Sequence, residues 1–222
     1  MSTSHGTGAG RHVRISPSIL YFGTPVALLT TVNPDGSPNL APVSSVWALG
    51  HTVVLGIGGE SRTAENLAAR PELVISLPSP GMWRSVEALA PLTGADPVPP
   101  GKRAVYRHEP DKFAAAGLTP QPARTVRPPR VAECPLQLEA TVRANHPGGP
   151  DGHFRVVECA VTRVHADPAI VVPGTDHVDP AAWSPLVYNF RHYHGLTPEL
   201  GHGFRSETAG ADAGTAAPAA HR

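Results

Sequence analysis

The sequence predicts a mainly β fold with short helices: an antiparallel barrel decorated by helices. Three observations carry this. Short apolar runs rich in β-branched residues recur through both halves of the chain, which is the pattern of buried strands. Leu136, Leu138, Ala140 and Val142 alternate with Gln137, Glu139, Thr141 and Arg143, a period of two. Helical spacing is confined to brief stretches, and 26 prolines and 22 glycines supply turns between them.

Pro25 to Val32 is apolar and β-branched and reads as a buried strand. Asn33-Pro34-Asp35-Gly36-Ser37 is turn chemistry, with Gly36 able to take a positive φ. Asn39 to Leu49 and Thr52 to Ile57 give further strands joined by a Gly50-His51 reversal. Thr63 to Arg70 is a short helix stopped by Pro71, and Leu73 to Leu77 is another buried strand. Met82, Val86 and Leu89 recur at helical spacing, so Gly81 to Ala90 is a helix. Pro97 to Gly101 is a loop. Pro110 to Ala116 is a helix with proline near its start and Gly117 just beyond its end. Leu136 to Arg143 is a strand with one face buried and the other wet or partner-facing. His146 to Gly152 is a loop, Phe154 to His165 a long strand and Ala169 to Val172 a short one. Arg124 to Arg130, with three arginines among prolines, is an ordered surface loop or interface arm.

A chain of 222 residues fits one domain with extensions. Residues 1–14 and 206–222 are read as disordered tails flanking a domain over residues 15–205, since the ends are rich in small residues and lack periodicity. Eighteen basic and eighteen acidic residues cancel, leaving no basic surface for nucleic acid and no polybasic membrane anchor. No apolar run approaches the ~20 residues that span a bilayer, and Met1 to Arg14 has no apolar signal core. Two cysteines and no signal predict a reducing, cytoplasmic setting. Cys134 and Cys159 are expected to be buried on strands, and their spacing fits no zinc pattern. The twelve histidines form no metal-binding motif.

Two runs carry chemistry. Asn39-Leu40-Ala41-Pro42-Val43-Ser44-Ser45 reads as a strand offering small side chains and backbone donors to a flat ligand. Pro42 lacks an N–H, which suits an interrupted ladder, and the amides of Ser44, Ser45 and Val46 could then face a ring. Ser61-Arg62-Thr63-Ala64-Glu65-Asn66 reads as a helix start suited to phosphate. A guanidinium grips two phosphate oxygens in a planar fork, hydroxyls add donors, and the helix opening adds free amides and a favourable dipole. Ser61 or Thr63 could equally serve as a plain helix cap. Asn66 lies one turn along the same helix. Together the runs suggest a ligand with an aromatic ring at one end and a phosphate at the other.

These runs, the Asn33–Gly36 turn and their spacing resemble the flavin reductase-like family of FMN-binding split barrels. The similarity extends through Asp111-Lys112-Phe113, Arg130-Val131-Ala132-Glu133-Cys134-Pro135 and Pro185-Leu186-Val187-Tyr188. The resemblance implies an antiparallel split β-barrel, a homodimer with flavin near its interface, and hydride transfer from NADH or NADPH to FMN. Electrons would pass on to free flavin, an oxygenase partner or a small acceptor. It implies that Arg62 holds the phosphate with Ser61, Thr63 and Asn66, that Ser44 to Val46 support the ring, and that Asn39 and Pro42 flank it. No side chain is assigned as a catalytic acid. Family members serving monooxygenases often carry Gly-Asp-His before the strand corresponding to Phe154–His165. Pro150-Asp151-Gly152-His153 stands there instead. A flavin-carrying protein without nicotinamide turnover, and a related barrel for deazaflavin or haem, are the alternatives.

Overall fold

The structure is a computed structural model that describes residues 12–203 and residue 206. Both expected tails fall largely outside the described residues, and His12, Val13 and Arg14 are exposed coil. The first strands are β1 (Phe22–Pro25), β2 (Ala27–Val32), β3 (Pro38–Val43), β4 (Val46–Leu49) and β5 (Thr52–Gly58). Helix α1 (Arg62–Ala69) leads into β6 (Glu72–Leu77) and then α2 (Trp83–Leu89), which a 3-10 turn at Pro80–Met82 precedes. Two short parallel strands, β7 (Leu92–Thr93) and β8 (Arg107–His108), flank a loop with a 3-10 turn at Pro100–Lys102. Helix α3 (Lys112–Ala115) is followed by the small pair β9 (Pro120–Gln121) and β10 (Arg130–Val131). The long hairpin β11 (Leu136–Gly148) and β12 (Phe154–Ala166) precedes the closing strands β13 (Val187–Asn189) and β14 (His192–His194).

Seven strands form one antiparallel sheet in the order β3-β2-β6-β11-β12-β5-β4. Its two edges, β3 and β4, are consecutive in the chain and separated only by Ser44 and Ser45. Three Cα steps of at most ~3.8 Å each join Val43 to Val46, so the sheet must curl until its edges approach. They meet at this seam without pairing to each other. A second sheet, β1-β13-β14, lies beside it. One apolar core holds Leu29, Leu55, Leu73 and Ile75, and another holds Leu28, Leu89, Phe113 and Leu186.

Several expectations are corrected. The strand expected over Pro25–Val32 breaks at Val26, whose amide turns to the Leu186 carbonyl (2.8 Å), so β1 and β2 join different sheets. His146 to Gly148 belong to β11, because β12 supplies their partners. Pro168–Ile170 is a 3-10 turn capped by Asp167, where a strand is expected, and only Val171 makes a bridge. The second face of β11 is wet only towards Arg143, which is exposed: Gln137 and Glu139 are buried. The arm over residues 120–130 covers that face, and the amides of Arg124 and Thr125 and the hydroxyl of Thr125 all donate to the Glu139 carboxylate. Arg124–Arg130 is thus an ordered arm, also tied by Arg127 to Glu72 at 3.0 Å. Cys159 lies on β12, whereas Cys134 sits in the turn after β10; both are buried free thiols. Trp47, which reads from sequence as a core or interface tryptophan, is 58% exposed on edge strand β4.

Candidate functional site

Helix α1 opens at the end of the short loop after β5. Ser61 is its N-cap: its hydroxyl accepts from the Ala64 amide at 3.1 Å, so the capping role weighed from sequence is real. Thr63 is buried in the first turn. Arg62 projects sideways, donating from Nε to the Gly94 carbonyl (3.0 Å) and from a terminal nitrogen to Glu65 (2.6 Å). Gly94 is needed at this approach, since a Cβ there would sit 2.5 Å from Asn39 Oδ1.

Behind the helix start lies a polar lattice. Asn39 on β3 is 2% exposed, and its amide donates to Thr63 Oγ1 at 3.1 Å and Thr31 Oγ1 at 3.3 Å. Its Oδ1 accepts from Lys112 Nζ at 3.1 Å, and the Leu40 carbonyl accepts from the same Nζ at 3.0 Å. Asn39 therefore offers no free amide; every polar atom is engaged by protein. Asn66 is corrected likewise. Its amide donates to Thr31 and Asn33 while its carbonyl accepts from Arg70, so it braces the helix one turn behind the cleft.

Lys112 was not expected. In the sequence it stands only within the Asp111-Lys112-Phe113 segment of the resemblance, with no role assigned, and in the fold it is 4% exposed. Burial and the nearby positive charge of Arg62 push its pKa down to about 8, with Glu109 opposing. Both its protein partners are neutral oxygens, and an ammonium has three donors. Lys102, in the loop after β7, lies at the same place and donates to the Glu60 carbonyl at 2.8 Å. Ser61, Arg62, Thr63, Lys102 and Lys112 line one cavity of about 260 Å³.

Pro42, Val43, Gly58, Ala90 and Tyr106 line this cavity and also a neighbouring one of about 370 Å³, so the two form one cleft. The second part holds Ser44 and Ser45 at the seam. Gly56 permits the seam to press close: its amide donates to the Ser45 carbonyl at 2.8 Å, and an added Cβ would meet Ser45 Cβ at 2.8 Å. Val46 instead pairs with Leu55 and packs against the core. The chain has four tyrosines, and all four, Tyr21, Tyr106, Tyr188 and Tyr193, line this end. Ring centroids of Tyr21 and Tyr188 are 5.6 Å apart, and those of Tyr188 and Tyr193 5.3 Å. Tyr188 and Tyr193 face each other across the local β13–β14 hairpin, whereas Tyr21 and Tyr106 come from separate segments that no local signal joins to them.

The cleft is thus cationic at one end and aromatic at the other. Arg62 has a carboxylate partner in Glu65, while Lys102 and Lys112 touch only neutral oxygens. Such surplus positive charge in a partly desolvated place favours an anion. Among the described residues no group of three or more His, Cys, Asp or Glu could hold a metal. No helix there is long and apolar enough to cross a membrane.

The family model described as "Flavin reductase like domain" matches residues 19–197. The chain is 43% identical over 199 residues to the uncharacterized protein YdfE of Bacillus subtilis (strain 168), covering 89% of this chain and 96% of that one. Its fold is similar to flavoredoxin of Desulfovibrio vulgaris (Miyazaki F), with a TM-score of 0.70, 20% identity, and coverage of 94% of this chain and 100% of that one. It is also similar to nitrilotriacetate monooxygenase component B of Bacillus cereus, with a TM-score of 0.67, 20% identity, and coverage of 84% and 89%.

Proposed function

The chain belongs to the flavin reductase-like domain family, and on that premise we propose that it is an FMN-binding oxidoreductase reduced by NADH or NADPH. The convergence of Arg62, Lys102 and Lys112 at one end of an aromatic-walled cleft carries this reading. When bound, the flavin accepts a hydride and releases electrons to an acceptor. The residues of the chain bind and orient it. Arg62 and Lys112 hold the phosphate, with Ser61, Thr63, the first amides of α1 and Lys102 adding donors. Asn39 and Asn66 position these groups from behind. The Ser44–Ser45 seam and Pro42 support the ring, and the tyrosines exclude water from its end of the cleft. FMN fits this donor set better than a neutral flavin, since a phosphate monoester brings nearly two negative charges.

The acceptor is free flavin or an oxygenase, as the likeness to a monooxygenase component suggests. The protein acts in the cytoplasm as a homodimer. Phe22, Trp47 and Leu49 support that assembly, being 75%, 58% and 76% exposed on β1 and edge strand β4 beside the seam. Sedimentation equilibrium tests it, and a monomer at micromolar concentration would contradict it.

A second reading is a flavin carrier without nicotinamide turnover. It is favoured by the Pro150–His153 turn, which lines neither part of the cleft. Stopped-flow reduction separates the two. FMN-loaded protein bleached by NADH or NADPH faster than free FMN supports the reductase; equal rates favour the carrier.

A further inference from the structure

A third cavity, of about 430 Å³, opens between the Pro80–Trp83 corner and the β13–β14 hairpin. Arg191, His192 and His194 line it beside Trp83 and Tyr193, and no carboxylate does. Arg84 lies 4.5 Å above the Trp83 ring, adding positive charge on that side. Glu87 is the neighbouring acid on α2, and it accepts from the Tyr193 hydroxyl at 2.9 Å. Tyr193 lines both this cavity and the aromatic end of the cleft.

The hairpin that presents Arg191 is unusual. Its two-residue turn, Phe190-Arg191, has φ values of 44° and 70°. Asn-Gly is the favoured pair there, since side chains pay for a left-handed backbone. Among the described residues these are the only non-glycine positions with positive φ. The Phe190 amide donates to the Tyr21 carbonyl at 2.7 Å, which pins the turn beside the cleft. Strain of this kind gathers at functional sites, and here it fixes a guanidinium at the mouth of a cavity with a surplus of positive charge.

We propose that this cavity binds the anionic end of a second substrate whose aromatic end lies in the tyrosine-walled part of the cleft. The ligand class is a planar ring joined to a phosphate or carboxylate: a nicotinamide dinucleotide or an aromatic acid. The proposal rests on the reading that flavin occupies the cleft, since that places the reacting ring beside Tyr193. It supplies an anchor for such a substrate in a chain whose Pro150–His153 turn lines neither part of the cleft.

Equilibrium dialysis of the FMN-loaded protein against NADH, NADPH and benzoate tests it. Arg191→Gly removes the side chain with its guanidinium and suits the positive φ of the turn, so the hairpin is retained. It is expected to weaken at least one of these ligands about tenfold, the loss of a charge-assisted contact, with FMN affinity unchanged. Loss for NADPH alone points to a 2′-phosphate, loss for both dinucleotides to the pyrophosphate, and loss for benzoate to a carboxylate. His192→Gln combined with His194→Gln is expected to act in the same direction. Unchanged affinities in both variants, or no binding of any of the three, would overturn the proposal. FMN titration is read separately: if FMN fails to bind, the flavin reading falls, and the same dialysis on the flavin-free protein still decides the role of Arg191.

Discussion

Lys112 Nζ donates to Asn39 Oδ1 at 3.1 Å, joining residues 73 positions apart. Asn39 in turn donates to Thr63 on α1. This relay couples α3, β3 and the helix opening, so the cationic end of the cleft is set by three separate segments. Preorganised donors of this kind cost little to align when a ligand arrives.

Lys112→Met is expected to weaken FMN binding by roughly 1.5–3 kcal/mol, the scale of a hydrogen bond to a charged group, while riboflavin binding holds. Thermal stability of the unliganded protein is expected to change little, since losing a desolvated charge offsets leaving the buried Asn39 Oδ1 and Leu40 carbonyl without this donor. Fluorescence titration and calorimetry measure the two effects. A large loss of stability would recast Lys112 as a structural strut.

FMN affinity is expected to depend on pH through the same residue. The Lys112 pKa falls from an ordinary 10.5 to about 8 in the folded protein, so part of its charge is lost as pH rises through 8. A phosphate dianion favours the protonated form, so binding takes up a proton above that pH. Affinity should therefore fall between pH 7 and 9, and the drop should vanish in Lys112→Met. The stability effect has the opposite slope: the unfolded chain binds the extra proton between 8 and 10.5, so this residue's contribution rises with pH there.

Arg62 is shared between the cleft and Glu65, with which it pairs at 2.6 Å. Arg62→Ala is expected to cost roughly 1.5–3 kcal/mol of FMN binding. Glu65→Gln should strengthen binding slightly, because it removes a competing negative charge, half exposed to solvent, from beside Arg62. Isothermal titration of both variants checks this, and weaker binding in Glu65→Gln would place the carboxylate among the orienting groups.

Glu139 is fully buried, and burial alone would raise its pKa. Hydrogen bonds from the Thr125 hydroxyl, the Arg124 amide, His165 and the Thr125 amide overcome this and hold it at about 2. A depressed carboxyl stabilises above its unfolded pKa of 4.5, and that contribution is lost as pH falls towards 2. Glu139→Gln is expected to cost about 1–3 kcal/mol at pH 7 and to flatten acid unfolding between pH 4.5 and 2. Protease cleavage within residues 122–129 should also quicken as the arm loosens. Wild-type resistance to cleavage in the variant would show that Glu72 and Arg127 suffice to hold it.

Local chemistry made some of this legible from sequence. Helix α1 follows from Ser61 as cap and Pro71 as stop, and the Gly50-His51 reversal from Gly50, whose φ is 57°. The seam at Ser44–Ser45 was signalled by small residues after Pro42. What escaped depends on distant segments. Glu139 sits in an alternating strand and reads as solvated until residues 120–130 fold over it. Lys102 and Lys112 lie on a loop and a four-residue helix, and nothing local directs either towards Arg62. Tyr21 and Tyr106 are likewise brought to the Tyr188–Tyr193 pair only by the pairing of β1 with β13 and by the loop carrying Tyr106.

The central claim is that Arg62, Lys102 and Lys112 recognise a phosphate, and comparing FMN with riboflavin tests it most directly. Fluorescence-quenching titrations of the purified protein at pH 7 should show FMN bound about a hundredfold or more tighter, the worth of two charge-assisted contacts. Equal affinities for the two flavins would contradict the account.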